Sequence, residues 1–231
     1  MKVILLLAAL LYAFTARADI HVIIYATCGG KTGHAGIAVD DYQIKISEVR
    51  TGGKTAYRKD TVATGFVQYF DLWPTNDEYK VSYDKDVEAT YYRLPSNRWK
   101  RLLSVRTLAE EGLPHKEGYP CDGIITLPNS KAGDLELAAY LERKRDAGRP
   151  FNAMRYNCCD FVSEAIAFAA RRQVFAKELV YKQLISTPNR LFRELRTWDD
   201  AQVVKDPGKK VDGSFFQERI LGRMIPSFIN F

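Results

Sequence analysis

Two cysteines stand side by side in RYNCCDFVSEAI, residues 155–166, at the start of a segment with helical character. Asn157 is suited to cap this helix, which places Cys158 at the first helical position and Asp160 at the third. The free N–H groups and the positive dipole end at a helix start stabilise a thiolate and lower the pKa of a thiol. Cys158 is therefore the predicted nucleophile.

The neighbouring Cys159 is predicted to be different. Helical periodicity places it about 100° further round the helix, so we expect the two thiols to occupy separate environments, with only Cys158 facing a cleft. A bond between them is disfavoured, because adjacent Cα atoms lie about 3.8 Å apart, below the roughly 4.4–6.8 Å of disulfides. The alternative interpretation is that both cysteines are small buried apolar residues.

A cysteine nucleophile needs a base, and the chain has three histidines. His21 opens an apolar segment, and His115 lies in the loop sequence GLPHKEGYP. His34 follows a glycine turn in TGHAGIAV, at the predicted start of a strand with small neighbours. His34 is therefore the candidate base, although a lone strand histidine is more often structural.

GHAGIAV, followed more than a hundred residues later by YNCCDFV, resembles the circularly permuted papain-like superfamily. That superfamily includes permuted relatives of NlpC-type cell-wall peptidases and lecithin:retinol acyltransferase. Its members carry His-x-Gly-Ile at a strand start and Asn-Cys-x-x-Phe at a helix start, in that order. The matching residues here are His34, Gly36, Ile37, Asn157, Cys158 and Phe161. The resemblance extends from about Ile20 to Trp198.

The resemblance implies an antiparallel sheet packed against the helix that carries the nucleophilic cysteine. It implies that Cys158 attacks an acyl carbon and forms a thioester, with His34 as general base and then acid. The backbone N–H of Cys158 is a natural oxyanion donor. A third polar residue is expected to orient His34, and two candidates stay open. Glu48 shares strand parity with Ile44 and Ile46 and is expected to point inward, and Asp71 lies on the next predicted strand; a solvated Glu48 and a turn-forming Asp71 are the alternatives.

The elements that would position these residues change in type along the chain. The first half predicts strands, in IHVIIYAT, HAGIAVDDYQIKISEV (a strand or a hairpin), ATGFVQYFDLWP and VEATYYRL. The second half predicts four helices around a short strand, GIITL. Their expected caps are Ser96, Ser130, Asn157 and Thr187. Strands followed by helices indicate an α+β fold, and residues 19–231 are expected to form one domain. The tail after Asp200 carries no clear pattern.

The N-terminus, MKVILLLAALLYAFTARADI, has the layout of a secretory signal peptide over residues 1–18, with cleavage expected after Ala18. Its apolar run is shorter than the roughly 17–25 residues of a spanning helix. The mature chain is therefore expected to be exported, to a bacterial periplasm or beyond, without a transmembrane segment.

Charge, cysteine content and motifs limit which partners, disulfides and cofactors are expected. Of 34 basic residues, Lys2 and Arg17 would leave with the signal, so 32 would face 28 acidic ones. These charges are scattered, which argues against nucleic-acid binding. At most one disulfide is expected among Cys28, Cys121 and Cys159. No phosphate loop, dinucleotide fingerprint or calcium loop is present, and zinc-ligand spacing is weak, so no cofactor or metal is expected.

Together these patterns predict an exported cysteine hydrolase that cleaves amide bonds in cell-envelope peptides, possible substrates being derived from peptidoglycan. One alternative is an acyltransferase or lipid esterase with the same dyad, whose acyl groove Tyr69, Phe70 and Trp73 would line. The other is a non-catalytic binding protein with structural cysteines. The C-terminal stretch FFQERILGRMIPSFINF is expected to pack on the domain.

Overall fold

The computed structural model describes residues 18–51, 54–95, 102–113, 119–180, 182–215 and 217–218. Within them the chain forms eight strands and four α-helices. The strands are β1 (Ala18–Tyr25), β2 (His34–Thr51), β3 (Lys54–Pro74), β4 (Ala89–Leu94), β5 (Gly123–Asn129), β6 (Lys177–Val180), β7 (Gln183–Ser186) and β8 (Gln202–Lys205). The helices are α1 (Val105–Glu110), α2 (Lys131–Ala147), α3 (Cys158–Ala170) and α4 (Pro188–Leu195).

Six strands form one sheet in the order β4-β3-β2-β1-β5-β8, and each pairs with its neighbour antiparallel. Strands β6 and β7 form a separate antiparallel hairpin. The predicted α+β class with an antiparallel sheet is therefore confirmed. Strand β8 falls in the tail to which the sequence assigned no element.

Strands β2 and β3 are much longer than the rest of the sheet. They pair from Gly36 opposite Asp71 to Thr51 opposite Lys54, with a register shift between Asp40 and Tyr42. The segment HAGIAVDDYQIKISEV is thus a single strand rather than a hairpin of its own. Residues 43–51 and 54–62, here called the arm, extend beyond β1 and β4 and are largely exposed. The two glycines of the predicted TGGK turn lie outside the described residues.

Core side chains cover both faces of the sheet. On one face, Ile37 of β2 and Leu72 of β3 belong to the same buried cluster as Phe161 and Val162 of α3. On the other face, Tyr69 belongs to a second cluster with residues of α1 and the segments around it. Helix α3 therefore packs against β2 and β3. Its N-terminus lies beside the ends of these strands that carry His34 and Asp71.

Three of the predicted caps are confirmed. Ser130 accepts a hydrogen bond from the Gly133 N–H at the start of α2, and Gly148 ends that helix with φ +62°. Asn157 caps α3, and Thr187 caps α4 with Pro188 at its first position. All three reflect side-chain hydrogen bonds that are local in sequence.

The prediction for the first helix was wrong at its start. Helix α1 begins after Ser104, whose side chain accepts from the Thr107 N–H. The preceding Leu103 instead forms a backbone bridge with Val67 and is buried, so tertiary pairing takes this residue out of the helix. The expected cap Ser96 lies outside the described residues.

Other expectations also fall outside the described residues: the signal sequence up to residue 17, His115, and most of the C-terminal stretch. Within the described ranges, no helix combines the length and apolarity needed to cross a membrane.

Candidate active site

Asn157 builds the start of α3 with every polar atom of its side chain. Its Oδ1 accepts from the N–H groups of Cys159, at 2.8 Å, and Asp160, at 3.4 Å, while Asp160 Oδ2 accepts from the Asn157 N–H. Its Nδ2 donates to the carbonyls of Ala153 and Ser186. This capping box fixes the backbone around the two cysteines.

Asn157 accepts no hydrogen bond from the N–H of Cys158. It occupies the first helical position, ahead of the N–H groups that Asn157 accepts, and no acceptor for it is found among the described residues. A backbone N–H at a helix start, beside the sulfur of the predicted nucleophile, can donate to an oxyanion.

His34 is held by contacts on two sides. Its Nε2 lies 3.1 Å from Asp71 Oδ2, and its ring stacks on Trp73 with centroids 3.9 Å apart and planes 26° from parallel. An ionised carboxylate only accepts hydrogen bonds, so Nε2 is the donor. This tautomer leaves Nδ1 unengaged by Asp71, and Cys158 is near enough to the ring to raise the pKa of His34.

Asp71 is fully buried and gathers three donors on one oxygen. Besides His34, its Oδ2 accepts from the Tyr69 hydroxyl at 3.0 Å and from Trp73 Nε1 at 2.7 Å. Such charge-assisted bonds fix both the carboxylate and the ring that it orients. Of the two candidates for the third residue, the structure therefore brings Asp71 to His34.

Glu48, the other candidate, is not at the site. It lies on the arm opposite Tyr57, is exposed, and pairs with Arg50 at 2.6 Å. The side chains of β2 do alternate here as the sequence predicts. However, β1 ends before this part of β2, so the face that carries Glu48 is exposed to solvent instead of covering a core.

Gly36 makes room for the Asp71 network. A Cβ at this position would lie 2.1 Å from the Tyr69 hydroxyl oxygen, so only glycine lets that ring cross β2. Gly33 serves a different need: it has φ +74°, and a Cβ there would meet the Thr27 side chain at 2.6 Å. Glycine is thus required at positions 33 and 36 for different steric reasons.

The two cysteines share one environment, which corrects the expectation from helical periodicity. Their sulfur atoms lie 4.0 Å apart, and both residues line the same cavity. Cys158 is partly exposed and Cys159 is buried. The 100° separation applies to the Cα positions, whereas rotamers turn the side chains toward each other.

These contacts shift the pKa of both catalytic candidates. A hydrogen bond from the Cys159 thiol holds the pKa of Cys158 well below its usual value against the opposing effect of burial, helped by the charge of His34 and by the Ala35 N–H. Burial disfavours the charged His34 ring, but the Cys158 thiolate and Asp71 outweigh it and raise the His34 pKa to about 9. The favoured state is thus a thiolate–imidazolium pair.

A cavity of about 650 Å³ opens over Cys158 and His34. Its walls are mainly apolar and aromatic, and no Asp or Glu of the described chain lines it, whereas Lys31 and Lys80 do. The apolar and aromatic lining residues include Leu72, Trp73, Tyr79, Tyr83, Phe151, Met154, Val180, Ile185 and Phe215.

Of the three aromatic residues expected to line an acyl groove, only Trp73 does so. Tyr69 and Phe70 are buried in the two core clusters on opposite faces of the sheet. The role of Tyr69 and Trp73 toward Asp71 was missed in the sequence. Their spacing of two residues on either side of Asp71 was the available signal, since alternate strand residues share a face.

His21, Cys28 and Cys121 lie outside this site. His21 Nδ1 and Thr126 Oγ1 are 2.8 Å apart in a separate buried network. Cys28 and Cys121 carry free thiols, as do Cys158 and Cys159. In the described part of the chain, no three His, Cys, Asp or Glu side chains cluster to hold a metal ion.

Comparison of the chain with protein-family models, with curated proteins and with solved structures yields no match.

Proposed function

We propose that this protein is a cysteine-dependent acyl hydrolase in which Cys158 is the nucleophile, His34 the proton-transfer group and Asp71 the residue that orients His34. One observation carries the proposal: His34, held by a buried 3.1 Å hydrogen bond to Asp71, lines the same cavity as the Cys158 thiol at an Asn157-capped helix start. Nucleophile, base and orienting group in mutual contact are the signature of covalent acyl transfer.

The same proposal assigns the fold to the circularly permuted papain-like arrangement. Supporting it are the order of the residues, with His34 at the start of β2 and Cys158 later at the start of α3, and the packing of α3 on β2 and β3. The antiparallel sheet agrees with this assignment.

In the proposed reaction, the Cys158 thiolate attacks the carbonyl carbon of the substrate, and the carbonyl π electrons move onto oxygen. The Cys158 N–H donates to this oxyanion. As the tetrahedral species collapses, the His34 imidazolium gives its Nδ1 proton to the leaving amine or alcohol, and the thioester remains.

Water completes the cycle. Neutral His34 takes a proton from the water as its oxygen attacks the thioester carbon, and collapse expels the Cys158 thiolate and releases a carboxylic acid. Asp71 holds the Nε2–H throughout, which keeps Nδ1 directed at the reacting atoms and stabilises the imidazolium.

For the substrate, amide bonds of cell-envelope peptides are the first candidate. The signal-like N-terminal sequence supports an exported protein, and Lys31 and Lys80 in the cavity wall suit substrates that carry carboxylates.

Acyl esters or amides with an apolar acyl group are the second candidate. The observation that favours them is the apolar and aromatic lining of the cavity, which would bury a hydrocarbon chain next to Cys158.

A thiol-reactive probe applied near pH 6 tests the proposed nucleophile, because an ordinary thiol is almost wholly protonated there. We expect labelling of the native protein, none in Cys158→Ala and continued but slower labelling in Cys159→Ala. Equal labelling of both cysteines, or none without denaturant, contradicts the proposal.

A substrate panel then tests the reaction. Muropeptides and acyl esters are to be incubated with the native chain and with His34→Ala, and His21→Ala serves as the matched control, since His21 lies outside the site. Turnover lost in His34→Ala and retained in His21→Ala supports the function. Absence of turnover on every acyl substrate favours the non-catalytic alternative.

A further inference from the structure

The β6–β7 hairpin has two unlike faces beside the candidate active site. Val180 and Ile185 are buried and line the cavity over Cys158. Leu179 and Leu184 are direct cross-strand partners on the other face, and they are 68% and 61% exposed. A short hairpin with apolar residues on both faces is unusual at a surface, where the solvent face is normally polar.

Cations accompany these exposed leucines. Lys177 and Lys182 of the hairpin are exposed, and Phe175, two residues before β6, is 66% exposed. The hairpin's acidic residue, Glu178, is turned inward: its carboxylate accepts from the Phe215 N–H at 3.0 Å and lies 3.6 Å from Arg193. The outer surface thus combines apolar side chains with positive charge.

We propose that this outer face of the β6–β7 hairpin docks onto an anionic lipid surface, so that an acyl chain can pass from the bilayer into the cavity. The inference rests on the proposed acyl hydrolase and names its substrate class as a membrane lipid with a fatty acyl group. Exposed leucines insert among acyl chains while neighbouring lysines remain at the phosphate level, which is the residue pattern of an interfacial segment.

The position of the cavity supports a lipid in particular. Neighbouring residues of strand β6 face solvent and the cavity in turn: Leu179 is exposed, and Val180 is part of the cavity wall. Phe151 and Leu72 line the same cavity as Val180, Ile185 and Cys158. An acyl chain leaving a bilayer at the hairpin would therefore remain against apolar side chains up to the reacting sulfur.

A second copy of the chain fits this surface less well. Stable protein partners each bury roughly 800 Å², which Phe175, Leu179 and Leu184 cannot supply by themselves. Binding to a lipid surface needs no such area. The free energy gained by inserting the apolar side chains adds to the attraction between the lysines and anionic headgroups.

Vesicle sedimentation with the native chain tests the docking. Vesicles of phosphatidylcholine alone are to be compared with vesicles of equal parts phosphatidylcholine and phosphatidylglycerol. We expect binding to the anionic vesicles to be stronger by roughly thirtyfold, the factor that two lysines at an anionic surface provide, and to weaken as salt is raised. Equal binding to both kinds of vesicle, or none, overturns the proposal.

Paired threonine variants identify the surface. Leu179→Thr/Leu184→Thr retains strand propensity and removes the apolar contact; it is expected to reduce vesicle binding at least about tenfold. Val203→Thr/Val204→Thr likewise puts threonine in place of two exposed apolar residues, on strand β8, and is expected to bind as the native chain does. If both variants bind equally, the hairpin is not the docking site. If the native chain is a dimer that Leu179→Thr/Leu184→Thr dissociates, the surface is a protein interface instead.

Turnover assays separate failure of the docking from failure of the proposed function. A short-chain acyl thioester in solution and a long-chain phospholipid in anionic vesicles are offered to the native chain and to both threonine variants. The docking predicts that Leu179→Thr/Leu184→Thr retains turnover of the soluble thioester and loses turnover of the vesicle substrate by at least about tenfold. Equal loss on both substrates overturns the docking alone. Absence of all turnover, with hairpin-dependent vesicle binding intact, overturns the hydrolase and retains the docking surface.

Discussion

The sulfur atom of Cys159 lies 4.0 Å from that of Cys158, which makes the second cysteine part of the environment of the first. Cys159 is buried and its own pKa is raised well above the usual value, chiefly by that burial and also by its neighbour. It therefore remains a protonated donor while Cys158 is ionised. The doublet divides into a thiolate and a thiol that stabilises it.

Replacing Cys159 by alanine is expected to raise the pKa of Cys158. A hydrogen bond to a charged group contributes about 1.5 kcal/mol, which corresponds to about one pH unit. The rate of alkylation by iodoacetamide, measured against pH, should therefore reach half its maximum about one unit higher in Cys159→Ala.

The matched control is Cys159→Ser, which retains a donor of similar size and should titrate close to the native chain. An unchanged midpoint in Cys159→Ala, with native thermal stability, would show that the contact does not stabilise the thiolate.

The His34–Asp71 pair makes a prediction about alkaline pH. His34 has a pKa of about 9, so in the proposed reaction its proton is available for the leaving group below that pH and is lost above it. Removing the negative charge of Asp71 lowers this pKa, and the alkaline fall of kcat/KM should move to lower pH in Asp71→Asn. The rate at neutral pH should also fall by roughly 10²-fold, because His34 is no longer held.

Glu48→Gln is the control for this change, since it makes the same chemical substitution on the exposed arm. It should leave both the rate and the pH profile as they are. A pH profile in Asp71→Asn that matches the native one would remove Asp71 from the mechanism, even if the overall rate fell.

Gly36→Ala is expected to disturb the site without touching a reacting group. The new methyl group would lie 2.1 Å from the Tyr69 hydroxyl oxygen, so the ring must move and its bond to Asp71 is lost. Urea unfolding should show a loss of about 1–3 kcal/mol, the usual cost of overpacking. Tyr69→Phe removes only the hydrogen bond and should cost less; equal losses in the two variants would show that the site accommodates the methyl group.

A second buried carboxyl gives a prediction about stability. Burial raises the pKa of Asp134 to about 6, although Tyr42 and Asn129 donate hydrogen bonds to it. A raised folded-state pKa means that the folded chain binds more protons than the unfolded chain between about pH 4 and 6, so the contribution to stability falls as pH rises through that window.

The native chain should therefore lose roughly 3 kcal/mol relative to Asp134→Asn between about pH 4 and pH 7, measured by urea unfolding at each pH. Asp160→Asn is unsuitable as a control because it lies in the capping box, whereas Asp60→Asn, on the arm, should follow the native curve. Parallel curves for the native chain and Asp134→Asn would contradict the assignment.

Local chemistry explains which parts of this protein could be predicted from sequence. The cap at Asn157 depends on residues within one helical turn, and so do the caps at Ser130 and Thr187. The placement of His34 at a strand start likewise follows from the glycine before it and the small residues after it.

Contacts across the sheet could not be predicted in the same way. Asp71 reaches His34 because β2 and β3 pair with Gly36 opposite Asp71, and this register is set by strand lengths and a bulge that sequence patterns do not specify. Glu48 shows the complementary error, since its alternation pattern is real but no layer covers that part of β2.

The arm formed by residues 43–51 and 54–62 has no further strand paired along either edge in the described structure. Such edges are templates on which another chain can add a strand, and Ile44, Ile46 and Tyr57 lie exposed between them. Lysines and arginines recur along the same ribbon, at Lys45, Arg50, Lys54, Arg58 and Lys59. Because like charges repel when two such edges approach, these side chains oppose pairing between the arms of two copies of the chain.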